Sequence, residues 1–349
     1  MRKIQLKLLC LFCVFLADAT TAADSGKDSP NVILITFDGV RWSEFFGRTD
    51  FWLRHGDRAP ILSHFWNSGL GSRGVAFGNR SLGSTVRVSN RPRLSLPGYQ
   101  SILAGYEQPC KNNGCGRIQV ETLQERLVRE AGISANQVVT IASWDQIANA
   151  SEHIVGSTFV NAGQMPLEDG TDDPELKELN QNQATDIPPW GNRWDKYTFK
   201  QGLRYLKVHQ PRFLFLSLLD TDEWAHEHNY KNYVEALRQY DKWLDELDHT
   251  LQSMGEYGRN TIIIMTTDHG RGHGPFWHNH GYMNFGSGLV YLVGIGPNIK
   301  ARGMVEDSPN YQHRDIRPTI ETLFGLKPIQ CRKCGKPIPE FLGIEEQDI

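Results

Sequence analysis

Acidic residues and histidines follow an apolar stretch near the end of the chain. Residues 261–265 are apolar and β-branched, Asp268 and His269 come directly after them, and a glycine-rich loop then ends in His278 and His280. Burying a carboxylate and several imidazoles costs free energy unless a partner satisfies them. A divalent metal ion can ligate all of these groups together, so this region is predicted to be a metal site.

Two further carboxylates have the same sequence context. Residues 31–37 are apolar and end at Asp38, and residues 213–219 are apolar and end shortly before Asp222, with His226 four residues later. Ligands bind beyond the carboxyl ends of the strands in a parallel sheet, so all three aspartates should lie at one edge and repel one another unless cations lie between them. Carboxylates mixed with imidazoles favour zinc, and paired ions are typical of phosphoryl transfer.

A serine stands at a predicted helix start. Pro97 suits the first turn of a helix, and Ser95 then lies at or just before its first residue. Ser95 could merely cap the helix, or its hydroxyl could be a nucleophile that faces helix N–H groups able to hold a phosphate. This segment alone leaves both interpretations open.

The elements that must position these residues alternate between two types. Fully apolar strands are predicted at 31–37, 138–142, 213–219, 261–265 and 289–295, and amphipathic helices at 120–131, 233–251 and 315–323. This alternation predicts an α/β fold with a mostly parallel central sheet and helices on both faces. Residues 163–194 are polar and predict a long surface excursion near the site, which could set substrate choice.

Length and composition fit an ordinary globular protein. The chain has 349 residues and a formal net charge of -3, which gives no basic surface for nucleic acid. Residues 1–22 combine early basic residues with a short apolar run and small residues, as in a cleaved secretory signal, and no later stretch could span a membrane. A single exported catalytic domain, periplasmic or secreted, is therefore predicted for residues 23–349.

Four cysteines remain after the predicted signal. In an oxidising compartment they are expected to form two short disulfides, Cys110–Cys115 and Cys331–Cys334. A structural zinc ion held by all four is the alternative.

With these residues in view, the sequence resembles the alkaline phosphatase superfamily, and most closely its nucleotide pyrophosphatase/phosphodiesterase branch. The matching motifs are Asp38-Gly39, Ser95 to Tyr99 with Gly105, Asp222 with His226, Asp268-His269-Gly270 and His280-Gly281-Tyr282. The resemblance implies two metal ions, one held by Asp222, His226 and His280, the other by Asp38, Asp268, His269 and the hydroxyl of Ser95. It also implies hydrolysis of a small phosphoester through a phosphoserine at Ser95.

The sequence departs from this family pattern in two places. The branch usually has threonine as nucleophile and an asparagine after the proline, so Asn90, Arg91 or Arg93 is expected to bind the substrate instead. Sulfatase relatives carry arginine two residues past the proline, where this chain has Tyr99, which argues against sulfatase activity. A sulfatase or phosphonate hydrolase on the same scaffold, or a catalytically silent secreted binding protein, are the alternatives.

Overall fold

The computed structural model describes residues 29–50, 53, 60–306 and 309–344, so the predicted signal segment lies outside the described residues. The strands are β1 Asn31–Phe37, β2 Val75–Phe77, β3 Val86–Arg87, β4 Val138–Ala142, β5 Phe159–Ala162, β6 Phe213–Leu218, β7 Thr261–Thr266, β8 Leu289–Val290, β9 Leu292–Ile295 and β10 Gly303–Met304. The helices are α1 Trp42–Phe46, α2 Ser63–Asn67, α3 Ser95–Ala104, α4 Leu123–Glu130, α5 Ile147–Ser151, α6 Pro174–Thr185, α7 Asp195–His209, α8 Asp220–His226, α9 Tyr230–Ser253, α10 Glu256–Arg259, α11 Ile316–Leu323 and α12 Pro339–Leu342.

One sheet of eight strands forms the centre of the molecule, in the order β10-β2-β9-β7-β1-β6-β4-β5. The block from β7 to β5 is parallel throughout, and β9 runs antiparallel to both of its neighbours. A parallel neighbour needs a crossover connection, and helices of the alternating pattern provide it. The predicted mostly parallel α/β sheet is confirmed.

Helices cover both faces of this sheet. In β1, Ile33 and Ile35 pack into a hydrophobic cluster that includes α9, whereas Val32 and Leu34 pack into a second cluster that includes α3 and α11. Side chains of a strand alternate between the two faces, so a fully apolar strand is buried on both sides. The continuous apolar stretches of the sequence have this physical cause.

One sequence prediction needs correction, and another gains structural detail. The apolar stretch 289–295 is not one strand, because Tyr291 separates β8, which pairs with β3 in a small second sheet, from β9 in the central sheet. The sequence predicts a polar surface excursion for residues 163–194, and the structure shows a helix, α6, within them. Trp190 and Trp194 of this segment pack against Trp224 of α8, with ring centroids 5.0 and 6.0 Å from that indole.

The cysteines are paired as the sequence predicted. Cys110 is bonded to Cys115, and Cys331 to Cys334, which removes the thiolates that a four-cysteine zinc site would need. Within the described part of the chain, every helix is too short or too polar to cross a membrane.

Candidate metal and catalytic site

Three neighbouring strands bring the predicted aspartates together. In the sheet, β1 lies between β7 and β6, and the register pairs Phe37 with Leu218 and Thr36 with Thr266, so the three strands end level with one another. Asp38, Asp222 and Asp268 follow these three ends and are all buried. The fold therefore concentrates three carboxylates at one edge of the sheet.

The first group of candidate ligands comes from α8 and the loop after β7. Asp222 and His226 are four residues apart on α8 and share one helix face. The Nε2 atom of His226 lies 2.9 Å from Oδ2 of Asp222 and 3.1 Å from Nε2 of His280. In His280, Nδ1 faces the carbonyl of Arg93 at 3.4 Å, which leaves Nε2 unprotonated and available to a metal ion.

A second group adjoins the first. One oxygen of Asp38, one of Asp222 and a ring nitrogen of His269 lie within 4.8 Å of one another. The Nδ1 atom of His269 donates to the carbonyl of Gly270 at 3.0 Å, so Nε2 faces the carboxylates, 3.3 Å from Oδ2 of Asp268. The rings of His269 and His280 are stacked with centroids 4.1 Å apart, so the two groups form one continuous site.

The electrostatics of the site fit bound cations. Among the described residues, Oδ1 of Asp38 and Oδ2 of Asp268 are buried without a hydrogen-bond partner. Burial and the charge of Asp268 raise the pKa of Asp38 well above its ordinary value. Burial lowers the pKa of His226, His269 and His280, which keeps these imidazoles in the neutral form that binds metals. Divalent ions would satisfy the orphaned oxygens and relieve the repulsion between the acids.

Ser95 is the first residue of α3 and does not cap it. Leu94 is the N-cap residue, and the hydroxyl of Ser95 lies 3.3 Å from Nε2 of His269 instead. Ser95 is buried, so its hydroxyl is held next to the second ligand group. The helix N-terminus offers few N–H groups to a phosphate, because Leu96 donates to Asn113 at 3.1 Å and Pro97 has no N–H.

A glycine sets how closely α3 approaches the loop after β7. A Cβ atom on Gly98 would lie 2.8 Å from the backbone oxygen of Asp268, which is too close for any side chain. Gly98 is one turn along the helix from Ser95, so this contact fixes the position of the helix start.

Two buried residues, Tyr99 and Arg271, donate hydrogen bonds to the candidate metal ligands, and the sequence analysis did not predict these contacts. The hydroxyl of Tyr99 donates to Oδ2 of Asp38 at 3.1 Å. The guanidinium of Arg271 donates to the carbonyl of Gly39 at 3.0 Å, to the backbone oxygen of Asp222 at 3.1 Å and to the carboxylate of Asp222. Burial lowers the pKa of Arg271 to about 9, which still leaves it charged at neutral pH. Their positions depend on tertiary packing, which no sequence spacing encodes.

The three predicted substrate-binding residues lie in different surroundings. Asn90 is buried, its Oδ1 lies 2.8 Å from Nε2 of His313, and its Nδ2 has no partner in the described structure. The guanidinium groups of Arg91 and Arg93 lie over the ring of Tyr282, at 5.0 and 5.4 Å from its centroid. Arg93 adopts a positive φ of 52°, an uncommon conformation that often occurs near functional sites.

His278, which ends the same loop as His280 and is an alternative ligand by sequence, lies outside both ligand groups. Its ring stacks on His228 with centroids 3.8 Å apart. The structure thus brings together all the predicted ligands, Asp38, Ser95, Asp222, His226, Asp268, His269 and His280, and leaves His278 aside.

Solved structures of other proteins share this fold. The fold is similar to those of a putative sulfatase from Bacteroides thetaiotaomicron (TM-score 0.63, 16% identity, covering 92% of this chain and 76% of that one) and the phosphonate monoester hydrolase of Agrobacterium radiobacter (TM-score 0.60, 17% identity, 91% and 78%). A protein in the alkaline phosphatase superfamily from Vibrio parahaemolyticus is also similar (TM-score 0.55, 14% identity, 85% and 67%). The fold is that of the alkaline phosphatase superfamily.

A family model gives the assignment within this superfamily. The model described as Sulfatase matches residues 140–326, which is more than half of the chain. The chain belongs to the sulfatase family. No curated protein matches it significantly. These comparisons identify a hydrolase family and do not single out the nucleotide pyrophosphatase/phosphodiesterase branch.

Proposed function

We propose that this chain is an exported, two-zinc phosphoric ester hydrolase that acts through Ser95. The observation that carries the proposal is the convergence of the Ser95 hydroxyl, the Nε2 atom of His269 and the orphaned carboxylate oxygens at one edge of the sheet. One ion would be held by Asp222, His226 and His280, and the other by Asp38, Asp268, His269 and the hydroxyl of Ser95. When bound, the ions would supply the positive charge that balances the carboxylates and the phosphoryl oxygens.

The reaction then has two displacements at phosphorus. The oxygen of Ser95 attacks in line, the bond to the ester oxygen breaks, and the alcohol leaves with a proton. Water then attacks the phosphoserine, which releases the phosphate group and restores the serine hydroxyl. Ser95 suits the first step because its position is fixed by the start of α3 and by Gly98.

Asn90 supports the same function as a substrate-binding residue. Burial lowers the pKa of His313 to about 3, so this imidazole is neutral and has one donor. Nδ1 of His313 lies 3.1 Å from the hydroxyl of Ser89, and Nε2 faces Oδ1 of Asn90. Since Oδ1 of Asn90 faces the imidazole, Nδ2 of Asn90 points away from it. A buried donor without a partner can bind a phosphoryl oxygen, the role that the family gives to the missing asparagine. Arg91 and Arg93 would add positive charge near the substrate.

The test is a comparison of two serine variants on one helix. Ser95→Ala should lower kcat on aryl phosphate mono- and diesters at least about thousandfold, because the nucleophile is lost. Ser101→Ala is the matched control, since Ser101 is also buried in α3 but only bonds the carbonyl of Pro97 at 2.8 Å. Equal turnover by wild type and Ser95→Ala would refute the role of Ser95. Bound zinc without turnover of any ester would favour a binding protein.

Sulfate ester hydrolysis is the second candidate, and the family model favours it. Against it, Tyr99 occupies the position where the sulfatase pattern has arginine, and it is engaged with Asp38. Two candidate ligand groups also fit a phosphate monoester, which carries more negative charge than a sulfate ester. Rates on 4-nitrophenyl sulfate and phosphate, with mass spectrometry for formylglycine at position 95, separate the two candidates.

A further inference from the structure

A cavity of about 740 Å³ opens beside the start of α3. Its walls come from three segments that are distant in sequence: residues 91–94, residues 107–111 and Tyr282. This volume falls in the range of small-molecule sites. None of the candidate metal ligands lines it, so it is a separate feature of the described structure.

The cavity adjoins the catalytic groups through the backbone. Leu94, in its wall, directly precedes Ser95, and Tyr282 follows His280 by two residues. The carbonyl of Arg93 accepts a hydrogen bond from the N–H of Gly281 at 3.1 Å, which joins the serine loop to the histidine loop. The cavity wall is therefore continuous in the chain with the two segments that carry Ser95 and His280.

The second wall is fixed to the nucleophile helix. The side chain of Asn113 accepts from the N–H of Leu96 at 3.1 Å, and Gln100 donates to the carbonyl of Gly116 at 2.9 Å. The Cys110–Cys115 disulfide links the wall, which includes Cys110, to this attached segment. The segment that follows the wall is thus hydrogen-bonded to α3 at two points, which favours a preformed binding site.

The lining combines flat apolar surface with positive charge. Pro92, Leu94 and Pro109 supply the apolar part, together with the ring of Tyr282. Arg91 and Lys111 supply two positive charges against the single carboxylate of Glu107, which also accepts the backbone N–H of Arg91 at 2.8 Å. Such a surface favours a planar ring that carries a negative charge.

We infer that this cavity is the leaving-group subsite and that the preferred substrates are phosphoesters of aromatic alcohols with an acidic substituent. The inference rests on the proposed esterase function and names its substrate class. The ring of the leaving group would pack against Tyr282 and the Arg91 guanidinium that lies over the tyrosine ring, and the acidic substituent would lie near Lys111.

Two variants and a control test the inference. Rates are measured on 4-carboxyphenyl, phenyl and methyl phosphate and on the methyl diesters of the same alcohols. Intrinsic reactivity of each ester is the same for every variant, so a change in the ratio of kcat/KM values between esters reports binding. Tyr282→Ala should lower the phenyl-to-methyl ratio about tenfold. Lys111→Glu should lower the 4-carboxyphenyl-to-phenyl ratio about fivefold.

Met283→Ala is the matched control, because Met283 is next to Tyr282, is 89% exposed and does not line the cavity. Both ratios should stay within about twofold of wild type in this variant. Unchanged ratios in Tyr282→Ala and Lys111→Glu, with active wild type, would overturn the subsite and leave the esterase function standing. Wild type that hydrolyses none of the esters would overturn the proposed function and the subsite together.

Discussion

At the proposed zinc site, replacing Tyr99 by phenylalanine should weaken zinc binding while the protein stays folded. The hydroxyl of Tyr99 donates to Asp38 at 3.1 Å and accepts from Ser217 at 3.3 Å, inside the second hydrophobic cluster. Burial and the charge of Asp38 raise the pKa of Tyr99, so it remains a protonated donor under all working conditions. Its hydrogen bond favours the ionised form of Asp38, and metal ligands must be deprotonated.

The size of the effect follows from the strength of this hydrogen bond. A hydrogen bond to a charged acceptor contributes about 1.5–3 kcal/mol, and about 1.4 kcal/mol corresponds to a factor of ten in affinity. Tyr99→Phe should therefore raise the zinc dissociation constant about 10- to 100-fold, the range found when partners of metal ligands are removed. The aromatic ring stays in place, so packing changes little.

Zinc affinity is measured by competition with a coloured chelator, beside a control that loses an equivalent hydroxyl. Tyr205 is buried as well, and its hydroxyl donates to the carbonyl of Asn136 at 2.8 Å, just before β4 begins. That position is at the opposite edge of the sheet, so Tyr205→Phe should bind zinc as wild type does. If Tyr99→Phe keeps wild-type affinity, or Tyr205→Phe loses as much, the proposed support of Asp38 is wrong.

Three further predictions concern the metal-free site, the amide of Asn90 and the Cys110–Cys115 disulfide. Burial and a neighbouring carboxylate raise the pKa of Asp38, so in the metal-free protein its ionised form lowers the stability of the fold at pH values above its ordinary pKa. In excess EDTA, Asp38→Asn should therefore have a higher melting temperature than wild type at pH 8, and this difference should shrink toward pH 4. No gain at pH 8 would contradict this. His313→Ala removes the imidazole that orients the amide of Asn90, so kcat on aryl phosphates should fall about tenfold. The effects of His313→Ala and Asn90→Ala should be non-additive in the double variant, and His313→Gln should keep part of the activity. Cys110→Ser with Cys115→Ser should lower the free energy of unfolding in urea by about 2 kcal/mol, and an unchanged value would refute this.

The central part of the fold could be predicted because its strands are buried on both faces. Such strands are continuous apolar stretches, and β1 and β4 have the bounds that the sequence indicated. The carboxylates at the strand ends could be found for the same reason, since the chain must leave the sheet where the apolar stretch stops. The order that places β1 between β6 and β7 was not predicted and comes from the structure.

The other parts of the fold and of the site could not be predicted, because they depend on contacts between residues that are distant in sequence. Strands β2, β3 and β10 have only two or three residues each, too few for a periodic pattern. A buried arginine such as Arg271 looks the same in the sequence as an exposed one, and only the approach of Asp222 and Gly39 shows its role. The amide of Asn90 likewise became informative only beside His313.

The glycine in the first turn of α3 has a consequence for protein engineering. Since Gly98 packs directly on the main chain at Asp268, the gap between the Ser95 oxygen and the candidate metal ligands is set by two backbones. Exchange of Ser95, the proposed nucleophile, for threonine or cysteine should preserve that spacing, whereas even alanine at position 98 would push the helix outward. Attempts to redirect the proposed chemistry can therefore vary residue 95, provided that residue 98 remains glycine.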